Sequence, residues 1–185
     1  MLSIYMSSYT KRKFRRRIKI FEIVGIIIIL MLSSLFHFCF DWLGKVKWTA
    51  AVFAVNESVW EHLKIGFFAA FFYAIFEFLV FGRKLLNFIP AKAVSFLLIP
   101  LLTATFFYTY TAFIEDNLFF DIMTLVLAVI IAQIVSIKIM LYEKKIKKMP
   151  YILLIIFLLI IFPLLTFYPP KIFLFYDFAH KKYGI

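Results

Sequence analysis

Five stretches of the chain stay apolar over the length needed to cross a lipid bilayer, at residues 18–38, 62–81, 91–114, 118–141 and 151–168. A helix rises about 1.5 Å per residue, so roughly 20 apolar residues cover about 30 Å of hydrocarbon. Inside hydrocarbon the backbone must satisfy its own hydrogen bonds, and each stretch is therefore expected to be helical. The fold class that follows is all-α: a polytopic transmembrane helical bundle of about five spanning helices. Of 185 residues, 65% are hydrophobic and only 17% charged, more apolar surface than a water-soluble domain of this size can hide. A soluble enzyme and a free nucleic-acid binder are excluded, so the expected partner is the lipid bilayer and not a nucleic acid. Cys39, the single cysteine, has no partner for a disulfide or a paired-cysteine metal motif.

Lys and Arg fall unevenly about the span ends. Fifteen collect on one side: Lys11 to Lys19, Arg83, Lys84 and Lys92, then Lys138 and Lys144 to Lys148. Six lie on the other, namely Lys45, Lys47, Lys64, Lys171, Lys181 and Lys182. Basic residues accumulate on the cytoplasmic side, which predicts a cytoplasmic N-terminus and an extracytoplasmic C-terminus. Residues 1–17 read as a basic cytoplasmic tail and 18–185 as one transmembrane domain. The basic run serves topology and anionic lipid without further function. No small-residue cleavage site follows the first span, which is expected to be retained.

The chemistry-bearing residues gather where spans one and two meet on the poorly basic side. His37 and Asp41 are four apart and share a helical face, as do Glu57 and Glu61; His62 and Lys64 follow at once. Asn56 reads as the N-cap of helix two, with Glu57 in its first turn. Two imidazoles among several carboxylates suit a divalent metal such as zinc. Each residue also has a plainer role: carboxylates sit comfortably at an interface, Trp42, Trp48 and Trp60 fit an aromatic belt, and Glu61 or Glu57 can pair with Lys64.

The segments His37-Phe38-Cys39-Phe40-Asp41-Trp42 and Val55-Asn56-Glu57-Ser58-Val59-Trp60-Glu61-His62-Leu63-Lys64 resemble an uncharacterised family of small bacterial multi-pass membrane proteins. Pro169-Pro170, Leu174-Phe175-Tyr176-Asp177 and Tyr183-Gly184-Ile185 complete the resemblance, which runs nearly end to end. It carries no activity, but it implies a bacterial plasma membrane protein whose tail belongs to the site. Residues 172–178 are expected to form a short interfacial helix that brings Asp177 to the cluster, with His180 solvated. A looser likeness, to the intramembrane metal hydrolases of the ceramidase and adiponectin-receptor superfamily, ends at ligand type. Those are seven-helix proteins with a closing HxxxH pair, and this chain has neither.

Two functions from different classes fit. One is a metal-dependent hydrolase acting on a lipid or envelope substrate, with His37, Asp41, His62 and Asp177 as metal ligands and Glu57, Glu61 and Lys64 as catalytic groups. The other is a non-enzymatic accessory, assembly or ion-binding membrane component whose polar cluster is structural. A transporter ranks below both, because Pro100 and Pro163 are single kinks with no paired interruption.

Overall fold

The computed structural model describes residues 8–185, with side chains from Arg12 onward. The first seven residues of the expected basic tail lie outside the described residues, and the rest of that tail is already helical. Among the described residues, five helices are long and apolar enough to cross a membrane. They are α1 (Ser8–Trp42), α2 (Val59–Val80), α3 (Phe88–Thr111), α4 (Leu118–Met140) and α5 (Met149–Phe167), each within a few residues of the expected span except at the start of α1. At 35 residues α1 is about 52 Å long, far more than hydrocarbon requires, and its surplus carries the basic run out of the bilayer.

The helices alternate in direction. The α1–α2 connection, the α3–α4 turn and the C-terminal segment share one end, here the acidic end; α2–α3 and α4–α5 turn at the opposite, basic end. At the basic end Arg15 of α1 pairs with Glu143 at 2.9 Å. There too the buried Asn87 side chain donates to the carbonyls of Tyr142 and Lys144, both at 2.9 Å, and accepts from Ile146. One side chain thus ties two turns together.

Helices α1 to α4 form a closed ring in which α1 packs on α2 and α4, and α3 on both α2 and α4; α5 lies outside, against α3. Water gives no apolar driving force between helices in lipid, so close backbone approach matters more. Ala69, Ala70, Ala91, Ala93, Ala128 and Ala132 are buried at these contacts. Gly25 is the extreme case, since an added Cβ would lie 2.4 Å from the Tyr73 ring and 2.7 Å from Gln133 Nε2. Its missing side chain lets Tyr73 donate to the Phe21 carbonyl and Gln133 to that of Glu22. The threonines of α3 need no such partners: Thr103, Thr105, Thr109 and Thr111 each donate to the carbonyl four residues back.

Two local expectations are corrected. Helix α2 starts at Val59 with Ser58 in the capping position, not at Asn56, so Glu57 precedes the helix. The Asn56 side chain accepts from Ser58 N–H and donates to the Gly184 carbonyl at 2.8 Å, which closes a local turn and holds the tail instead of capping α2. The expected interfacial helix is instead a single 3-10 turn, Phe173–Phe175, followed by an antiparallel hairpin pairing Tyr176 with Tyr183. Asp177 explains the turn by accepting from His180 N–H at 3.0 Å. Lys181 and Gly184 adopt positive φ (52° and 68°), which no helix accommodates.

Candidate functional site

Among the described residues, one group of three side chains is arranged to hold a metal ion: His37, Glu57 and His62. His37 comes from the last turns of α1, and His62 from the first turn of α2. Glu57 comes from the bend that precedes α2. The Nε2 atoms of the histidines are 3.1 Å apart. Glu57 Oε2 lies 3.3 Å from His37 Nε2 and 3.6 Å from His62 Nε2. The Nδ1 of His62 meets the Ser58 carbonyl at 2.9 Å, an acceptor that fixes the proton there and turns the Nε2 lone pair toward the group. Glu57 is held below the usual carboxylate range, chiefly by its hydrogen bond from His37 and against the opposing effect of partial burial.

The other residues singled out in the sequence are near this trio without joining it. Asp41 points to Lys45 at 3.4 Å on an exposed surface. Asp177 is buried and accepts from Glu57 N–H at 3.3 Å and from the ring Nδ1 of His180 at 2.8 Å. Burial raises its carboxyl, but the hydrogen bonds from the His180 backbone, the His180 ring and the Glu57 backbone outweigh this and hold it low. His180 therefore does more than contact solvent.

Glu61 and Lys64 form a separate buried unit. Lys64 Nζ donates to Glu61 Oε2 at 2.5 Å, to the Ala50 carbonyl at 2.7 Å and to Thr166 at 3.0 Å. Thr166 donates to Glu61 Oε1 and Val55 N–H to Glu61 Oε2. Every atom is satisfied, so the pair fastens the α1–α2 connection to α2 and α5. Trp60 lies between the rings of Phe162 and Phe175, at 4.8 and 4.7 Å. Each polar residue from Asn56 to Lys64 thus anchors either the tail, the trio or α5.

A second polar cluster, at the basic end, joins Glu22, Glu77 and Lys92 inside the ring. Counting Lys92 only as a topology residue conceals it. The signal was depth, since Glu22 and Glu77 each lie about one turn inside an apolar span from the same face, at the end where Lys92 opens the third span.

The fold and the trio define a polytopic helical membrane protein with a His/carboxylate group at one end of its bundle. The chain belongs to a family of unknown function (DUF6512), whose model matches residues 10–185. No curated protein and no solved structure matches it.

Proposed function

We propose that this protein is a metal-dependent hydrolase working at the membrane surface, with a divalent metal such as zinc held by His37, His62 and Glu57. The supporting observation is the triangle of their ligand atoms, with sides of 3.1, 3.3 and 3.6 Å. Tetrahedral zinc with bonds of about 2.0–2.1 Å separates its ligand atoms by about 3.3 Å. The trio has the spacing of three corners of that tetrahedron. Three protein ligands with the fourth corner open is the arrangement of catalytic zinc sites, whereas structural ones are closed. A carbonyl on the second nitrogen, as Ser58 gives His62, is the usual support of a metal-binding imidazole.

When bound, the metal supplies a water acidified toward neutrality. Asp177 links the trio to the tail: its carboxylate holds the Glu57 backbone and aligns the exposed His180 imidazole, a group able to accept a proton at this end of the bundle. Glu61 and Lys64 serve the reaction by fixing the segment that carries Glu57. Exposed Trp42 and Trp48 lie in and beside the α1–α2 connection at the same end of the bundle, which favours a lipid or other envelope substrate. The basic asymmetry supports a plasma membrane orientation with the N-terminus cytoplasmic and this site extracytoplasmic.

The test is metal content of the purified full chain by mass spectrometry, with hydrolysis of a fluorogenic ester lipid measured before and after chelation. We expect stoichiometric metal and chelator-sensitive turnover in the parent, both lost in the double variant His37→Ala/His62→Ala. A parent that neither binds nor is stabilised by added zinc overturns the reading. The trio is then the hydrogen-bonded cap of a non-enzymatic membrane component.

A further inference from the structure

The cluster at the basic end has a charge balance that its surroundings do not tolerate. Glu22 of α1 and Glu77 of α2 are 0% exposed, and Lys92 of α3 is 3% exposed. Lys92 Nζ donates to Glu22 Oε1 at 2.6 Å and is in ion-pair contact with Glu77 Oε2. Ser136 of α4 donates to Glu22 Oε1 at 3.3 Å. Tyr73 of α2 gives its own proton to the Phe21 carbonyl. Two carboxylates against one ammonium leave one negative charge uncompensated in a low-dielectric interior.

Two further observations locate what is missing. Glu22 Oε2 and Glu77 Oε1 are buried and have no hydrogen-bond partner. The two carboxylates also converge on the same Lys92 nitrogen, which makes them close neighbours, and neighbouring carboxyl groups hydrogen-bond only when one of them carries a proton. One proton would neutralise the cluster and give these oxygens a donor. A metal cation fits less well, because the Lys92 ammonium already occupies the position between the carboxylates.

We propose that Glu22 and Glu77, bridged by Lys92, form an intramembrane site that holds one exchangeable proton. Loading adds a proton to one carboxylate oxygen of the pair; release returns the cluster to a net charge of minus one. Adjacent carboxylates cannot both remain ionised without cost, which is why the pair retains a proton under conditions where an exposed glutamate loses it. Ionisable groups placed this way inside membrane bundles serve as proton relays. The site owes nothing to the His–Glu trio or to any metal.

Infrared spectroscopy of the full chain in lipid nanodiscs tests this. At pH 7 we expect the carbonyl band of a protonated carboxyl, sensitive to deuterium exchange and absent from Glu77→Gln and Glu22→Gln. Either glutamine mimics the loaded state, leaving one carboxylate against one ammonium, so both variants should fold and melt no lower than the parent. A parent without the band at pH 7 overturns the proposal. So does a band that survives in both variants, or one abolished by sodium at constant pH, which would mark a cation site.

Discussion

The two ends of the bundle use similar side chains in opposite surroundings. The Glu57 side chain is 45% exposed beside its histidines, whereas the Glu77 side chain is 0% exposed beside Lys92. At the acidic end water screens each charge, so the trio is inexpensive to maintain and open to a ligand. At the basic end nothing screens the charges, and any imbalance within the cluster is costly. Exposure therefore suits the first site to the metal and substrate proposed for it and the second to the proposed proton, and it predicts where mutations hurt folding.

The largest effect should come from Lys92→Met, which leaves two carboxylates without their ammonium. Breaking a buried pair from one side commonly costs about 3–5 kcal/mol. Chelator-treated His37→Ala should lose less than about 1 kcal/mol, since its exposed partner rehydrates. Unfolding of the detergent-solubilised chain by denaturing surfactant measures both. Equal losses would break the comparison between the two ends.

Gly25→Leu comes next, with an expected loss of about 2–3 kcal/mol by the same measurement. Leucine gains about 1 kcal/mol of helix propensity over glycine. Its Cβ, however, would stand 2.4 Å from Tyr73 and 2.7 Å from Gln133, so overpacking wins. Because the damage is steric, the deficit should not vary with pH. A variant as stable as the parent would show that Tyr73 and Gln133 do not need their contacts with the α1 backbone.

How much of this was legible beforehand follows the same division. Span length and apolarity are local properties, and the helices appear where the sequence placed them. The proximity of His37 to a carboxylate was also readable, because consecutive helices are usually neighbours and the connecting segment turns back through Gly44. Which carboxylate it meets was not. Glu57 and Glu61 share a helical face only if α2 begins early enough to include both, and Asn56, drawn to Gly184 from 128 residues away, prevents that. The tail was misread because Phe173 to Tyr176 is apolar enough for a helix, while the Asp177–His180 turn that ends it depends on tertiary burial. The pairing of Glu22 with Lys92 spans 70 residues and is visible only once the three buried charges are compared by depth.

A smaller effect than that of Gly25→Leu, and one that depends on pH, belongs to Asp177. Its carboxylate accepts from His180 N–H, the His180 ring and Glu57 N–H, and its folded pKa lies below the ordinary value near about 3.9. A depressed carboxyl stabilises the fold above its unfolded pKa, and that contribution disappears as pH falls through the folded value. Asp177→Asn retains one acceptor oxygen but places an amide donor where the carboxylate accepted hydrogen bonds. We expect a deficit of about 1.5 kcal/mol at pH 7, the lower end for hydrogen bonds to a charged acceptor. On acidification below about pH 4 the parent protonates Asp177 and loses the same advantage, so the two melting curves should converge. The measurement is thermal unfolding with chelator present, from pH 7 down to the lowest pH at which the parent remains folded. A deficit that stays constant over that range, as expected for Gly25→Leu, would mean Asp177 acts by shape and not by charge.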